Sequence, residues 1–327
     1  MTHRPQLRMT WQQLPVSIHR AVAEILEGPV VEATSQATGY SPGSADRVRS
    51  ENGNRAFVKA ASLERNADTY DLHRRELAVL RMLPATVSAP RLLGAFEDRE
   101  WVALIIEDLD GAHPGQAPTR SEISAVLSAL EAMPAIRGHS EWAGLPDVRA
   151  ELAPAFSGWG RIRHDGQAEA LPASAREHLD ELEQLAEDAA GAVEGDHLVH
   201  LDLRSDNILL DSSGRIRLID WPWAGVGSRW LDALTFLLDA RMHGSDFDAE
   251  KTIATHPLFT DATDRDIDAV LSGLASYFFD AARRPAPANM PTLRAFQYDE
   301  GVAALEWLGQ RRGWSAPGRR VTSTPPS

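Results

Sequence analysis

The strongest constraint on this chain is the stretch His200-Leu201-Asp202-Leu203-Arg204-Ser205-Asp206-Asn207, together with the apolar segments on either side of it. An apolar pair, Leu198-Val199, runs into a polar turn that carries Asp202. Asn207 comes five residues later, where the chain turns apolar again as Ile208-Leu209-Leu210. Ser212-Ser213-Gly214 supplies a turn, and Asp220 ends the next apolar run, thirteen residues after Asn207. The pattern predicts short strands with three oxygen-bearing side chains at their mouths. Any one of these acids alone reads as a solvated surface residue. Together, at this spacing, they suit phosphoryl transfer from a nucleotide. One carboxylate orients an acceptor hydroxyl, while an amide and a second carboxylate hold Mg²⁺ on the phosphates.

Phosphates also need a cation, and lysine is almost absent. Of 33 Lys and Arg, only Lys59 and Lys251 are lysine. Lys59 lies in the predicted strand 55–60, which leaves an Asn52-Gly53 turn. Alternation places Phe57 and Lys59 on one face, so Lys59 either snorkels out or meets an anion. A helix over residues 69–83 puts Leu72, Val79, Leu80 and Leu83 on one face, with Glu76 among them. A carboxylate inside an apolar stripe needs a cation, and Lys59 is the expected one. Surface pairing of Glu76 with Arg75 or Arg55 is the alternative. Ahead of Lys59, the loop 38–44 carries Gly39, Ser41 and Gly43 between two predicted strands. It offers backbone N–H groups to phosphates, or it is a plain hairpin turn.

The pattern His200-x-Asp202-x-x-x-x-Asn207, a hairpin, then Ile219-Asp220-Trp221 resembles the aminoglycoside phosphotransferase family of kinase-like enzymes. The 39–43 loop, Lys59 and Glu76 extend the likeness over most of the chain. The resemblance implies an α+β bilobal fold. Residues 1–107 would form an N-terminal lobe, a five-stranded antiparallel sheet plus helix. Residues 108–316 would form a mainly helical catalytic lobe, with a disordered tail at 317–327. It implies Asp202 as catalytic base, Asn207 and Asp220 as Mg²⁺ ligands, and ATP or GTP held by Ser41, Gly43, Lys59 and Glu76. The polar connector after the strand 101–106 would be the hinge, its backbone at Glu107 to Leu109 meeting the purine. Two departures stand out. Leu201 follows the catalytic-loop His where the family often has Gly. Pro222 stands two residues after Asp220, where kinases typically have Gly, and its fixed φ opposes a flipping activation segment.

Elsewhere the sequence predicts helices over 15–27, 119–133, 174–190, 229–242, 264–282 and 291–310, with loops and short helices between 134 and 172. Asp232 is read as an acceptor for the catalytic loop's backbone or as an exposed acid, and His200 as a scaffold imidazole. A hydrolase metal site built on His197, His200 and Asp202 is the weaker alternative for this stretch. The acceptor is expected beside Asp202, against Trp223 and a carboxylate row, Asp299 and Glu306 with Glu300 beside them. Such a row would suit a polyamine such as an aminoglycoside, and a role in antibiotic resistance. A neutral acceptor, or a kinase-fold protein that only binds, are the alternatives; the retained Lys, base and metal ligands favour catalysis.

Bulk properties narrow the rest. A net charge of −14 opposes a nucleic-acid footprint. No apolar run reaches membrane-spanning length and no apolar leader follows Met1, so no membrane partner and a cytoplasmic location are expected. The chain has no cysteine, which removes thiolate chemistry.

Overall fold

A computed structural model describes residues 9–36, 43–115, 117–287 and 290–314. Ser41 and the tail 317–327 lie outside the described residues. The N-terminal part is an antiparallel sheet of five strands, β1 (Val30–Ser35), β2 (Ser44–Ser50), β3 (Arg55–Ser62), β4 (Leu92–Glu97) and β5 (Trp101–Ile106), in the order β1-β2-β3-β5-β4.

Alternation along these strands separates two faces. Val48, Ala56, Val58, Ala60, Ala103 and Ile105 pack on Trp11, Leu14, Ile18 and Val22, the last two from α1 (Val16–Ile25). On the opposite face Ala61, Val102, Leu104 and Ile106 join Leu77 and Leu80 of α2 (Ala67–Met82). The second helix starts two residues before the position expected, because Asn66 caps it and accepts from the Thr69 amide at 2.7 Å.

The rest is mainly helical. α3 (Arg120–Glu131) opens on the capping box of Thr119 and Glu122. α4 (Val148–Phe156) and α5 (Gly158–His164) fill the Trp- and Pro-rich region, where Trp142 and Trp159 are buried. The single helix expected over 174–190 is two: α6 (Ala173–Glu177) and α7 (Leu179–Ala192). At the break the His178 ring stacks on Trp314 at 4.0 Å, a contact local periodicity does not encode.

The 200–207 stretch sits between two small antiparallel pairs. β6 (His197–Val199) pairs with β9 (Gly225–Gly227), and β7 (Ile208–Leu210) with β8 (Ile216–Leu218). Helices α8 (Leu231–Met242), α9 (Ala249–Thr255), α10 (Asp264–Ala282) and α11 (Leu293–Arg312) complete the chain. The last ends on Gly313 at φ 68°, a left-handed cap that glycine suits. Among the described residues no helix is long and apolar enough to cross a membrane.

Candidate active site

The catalytic loop is built from its scaffold inward. His200 is fully buried, with its ring edge-on to Trp221 at 4.6 Å. Its Nε2–H donates to the Ile219 carbonyl at 2.9 Å, and its Nδ1 accepts from the Asp202 amide at 3.3 Å. Burial holds this imidazole below its ordinary pKa, so the neutral tautomer that bridges both loops is the stable one. His197 turns elsewhere, bonding Asp196 at 2.6 Å. The two histidines therefore serve different neighbours and do not converge on a metal.

Leu201 adopts φ 66°, the left-handed region that glycine enters freely and leucine at a cost of about 1–2 kcal/mol. Two bonds offset it. Asp232 of α8 accepts from the His200 amide at 2.6 Å and the Leu201 amide at 2.9 Å. One side chain thus holds the turn that a glycine would otherwise relax. Two helical turns on, buried Asp239 accepts from the Ser205 amide at 3.0 Å and its hydroxyl at 2.7 Å. Asp239 is a site residue that sequence reasoning misses. The available signal is a second acid seven positions after Asp232 in a helix whose other polar residues are Thr235 and Arg241.

Between these clamps lies Asp202. Asn207 Nδ2 donates to the Asp202 carbonyl at 2.8 Å and to its carboxylate at 3.1 Å. Burial raises the Asp202 carboxyl to about 6, and the nearby charge of Arg204 keeps it from rising further.

On β3, Lys59 Nζ lies 2.8 Å and 2.9 Å from the two Glu76 oxygens and 3.0 Å from Asp220 Oδ1. Glu76 also accepts from the Trp221 backbone. Burial opposes the charge on Lys59, but Asp220 and Glu76 outweigh it and keep the ammonium protonated. Burial likewise works against Asp220, yet Lys59 holds it below the usual carboxylate range. Asp220 itself sits at φ 68°, in the left-handed region, with its carboxylate bonded to Lys59.

Asn207 and Asp220 are an amide and a carboxylate, hard oxygen donors that fit Mg²⁺. Among the described residues no group of three or more His, Asp or Glu is placed to hold a metal. Two protein ligands, with water and phosphate completing the shell, are how Mg²⁺ is commonly held beside a nucleotide.

The remaining expected residues divide. Gly43 is buried just before β2. The Glu107 carboxylate accepts from the Arg91 amide at 3.1 Å and Arg217 at 2.9 Å, tying the start of β4 to β8, and its amide donates to the Arg91 carbonyl at 2.9 Å. The Leu109 carbonyl accepts from Arg47 Nη2 at 3.1 Å. Trp223 is 42 % exposed with the Arg75 guanidinium 5.5 Å from its ring centroid. Asp299 has no hydrogen bond or ion pair to the catalytic-loop residues among the described residues. It is exposed, as is Glu306, so the carboxylate row is the solvated face of α11. The face toward the catalytic loop carries Phe296, whose ring lies 5.3 Å from Arg204, and half-buried Glu300, one turn on. Burial pushes Glu300 up to about 8, with Arg204 opposing and Asp202 adding to the rise.

Known proteins carry the same architecture. Residues 39–266 match the model of the phosphotransferase enzyme family, and the chain belongs to that family. Solved structures with the same fold include an ADP-bound aminoglycoside phosphotransferase, APH(2'')-Ib, at 13% identity and TM-score 0.54 over 89% of this chain and 99% of that one. The choline kinase LicA from Streptococcus pneumoniae matches at 12% and 0.54, over 89% and 98%. The macrolide 2'-phosphotransferase MphH from Brachybacterium faecium matches at 15% and 0.52, over 87% and 97%. No curated protein matches the sequence.

Proposed function

We propose that this protein transfers the γ-phosphate of ATP or GTP to a hydroxyl of a small molecule, with Mg²⁺ held by Asn207 and Asp220. One observation carries the reading. Lys59 stands within 3.0 Å of both Glu76 and Asp220, and Asp220 is close enough for its charge to act on Asp202, which Asn207 bonds. Lys59 would hold nucleotide phosphates and Glu76 would position it, with Ser41 and Gly43 as further phosphate-binding residues. Mg²⁺, when bound, neutralises charge on the transferring group. Asp202 would take or orient the acceptor's proton. Residues 1–107 then form the nucleotide lobe and 108–316 the catalytic and acceptor lobe, working in the cytoplasm where ATP and Mg²⁺ are available. The test is nucleotide consumption with a panel of aminoglycosides, macrolides, nucleosides, choline and sugars. Consumption with none, under conditions where nucleotide binds, would leave a binding protein.

The sequence points first to an aminoglycoside acceptor, and the side chains around Asp202 favour a second reading. The wall presents Phe296, Tyr277 at 39 % exposure and the Arg204 guanidinium, with Glu300 as the carboxyl of α11 nearest these charges. Aromatic faces suit a ring-bearing acceptor, while Arg204 is offset by Asp202 and Asp206, so the rings and not the charge favour the neutral reading. Calorimetry at two ionic strengths separates the two. Polyamine binding weakens with salt, and neutral-ring binding changes little.

A further inference from the structure

The register of the sheet places Arg47 in the nucleotide cleft. Ala45, Lys59 and Leu104 form one row across β2, β3 and β5, and Arg47, Phe57 and Ile106 form the next row on the same face. The rows are about 7 Å apart. A nucleotide with its phosphates at Lys59 therefore extends its base toward Phe57, Arg47 and the connector at 107–109.

Arg47 is not free to move there. Its Nη2 donates to the Leu109 carbonyl at 3.1 Å, and its Nη1 lies 3.2 Å from Asp108 Oδ1. Asp108 is 2 % exposed and is also gripped by Arg55 at 2.6 Å. Arg55 in turn bonds Asp110 at 2.9 Å and 3.0 Å. Two arginines from adjacent strands thus pin the connector, and one of them covers a connector carbonyl.

That carbonyl matters differently to the two purines. Adenine presents an amino donor and a ring-nitrogen acceptor, which the Glu107 carbonyl and Leu109 amide can satisfy. Guanine presents a carbonyl acceptor beside two donors, the ring N–H and the 2-amino group. Its donors call on the Leu109 carbonyl while its oxygen takes the Leu109 amide. A guanidinium has five N–H donors and no acceptor, so at this position Arg47 meets guanine's donors with donors. An unpaired polar edge in a closed site is costly, which is how hydrogen-bonding sites discriminate.

Resting on the nucleotide reading above, we propose that Arg47, by occupying the Leu109 carbonyl, makes this enzyme select adenine over guanine nucleotides. The experiment is calorimetric binding of Mg-ADP and Mg-GDP to the full chain, so that no acceptor need be known. The wild type should bind ADP about tenfold or more tightly than GDP. Arg47→Met should cut that ratio by about tenfold, mainly by improving GDP. Asp108→Asn leaves the guanidinium in place but loosens it, and should move the ratio the same way by a smaller factor. It also serves if Arg47→Met melts early. Equal affinities in the wild type, or a ratio unchanged in both variants, overturn the assignment while the nucleotide site stands. Binding of neither nucleotide overturns the phosphotransferase reading and this inference with it.

Discussion

The two ends of the cleft are held by different means. At the nucleotide end each charge has an opposite partner at hydrogen-bond distance: Lys59 with Glu76 and Asp220, Glu107 with Arg217. At the acceptor end the fit is loose. Arg204 reaches Asp206 through Nη2 at 3.2 Å, but its Nε lies 3.7 Å from Asp202 and, among the described residues, is buried without a hydrogen-bond partner, as Arg217 Nε is at the other end. Glu300 makes no ion pair among the described residues, and both its carboxyl and that of Asp202 are raised by burial. The contrast teaches that the Lys59 end is held by close ion pairs, while Asp202 and Glu300 have no cation at hydrogen-bond distance among the described residues; on the proposed reading these are the groups an acceptor would meet.

The largest test removes the base. Asp202→Asn keeps the shape and the Asn207 contact but loses the charge. Turnover should fall by roughly 10²–10⁴-fold with nucleotide affinity nearly unchanged, as read by steady-state rates beside calorimetry. Turnover near that of the wild type would show that the loose end needs no carboxylate.

Next comes the tight end. Lys59→Ala leaves two carboxylates facing each other, one of them 2 % exposed. Nucleotide binding should be largely lost, and denaturant unfolding should show a loss of about 3 kcal/mol, the lower end for a broken buried pair because Asp220 reaches solvent. A cycle with Glu76→Gln should be non-additive; simple additivity would mean the pair does not couple.

A smaller effect concerns pH. Asp202 must be ionised to accept a proton, and burial sets its carboxyl at about 6, so kcat/KM should fall as pH drops through that value. Arg204 lowers this carboxyl. Arg204→Gln should therefore move the acid limb of the profile to higher pH. A limb that stays in place would separate Arg204 from Asp202.

The smallest is Glu300→Gln. Its carboxyl is raised to about 8, so near neutral pH the change removes little charge. Acceptor KM should move by a few-fold and kcat hardly at all, whereas Asp299→Asn should move neither.

Much of the tight end is legible in the sequence because its demands are categorical. A lone lysine in a strand and a glutamate in an apolar stripe each require a counter-charge, whatever the details of packing. The strand over 55–60 is legible from alternation and its Asn52-Gly53 turn, the five-stranded sheet through the family resemblance, and the helix expected over 264–282 is found at those bounds. The acceptor wall is not. Asp299 and Glu300 are adjacent, and 100° of helix rotation decides which one faces the loop. That rotation is set by packing such as Gly301 against Phe279, which no local pattern reports. The break at His178 is hidden for the same reason, its partner Trp314 being far along the chain.

The two aspartates of α8 make that helix a ruler. Asp232 and Asp239 stand seven residues apart, about 10.5 Å along a rigid axis, and grip the catalytic loop at residues 200–201 and at 205. A loop fastened at two points to one rod has a fixed length. Added or deleted residues between 201 and 205 must tear one fastening away, whereas the hairpin tip at Ser212–Gly214 has no such tether to α8 and can lengthen. The spacing from Asp202 to Asn207 is thereby set by the helix and not by the loop itself.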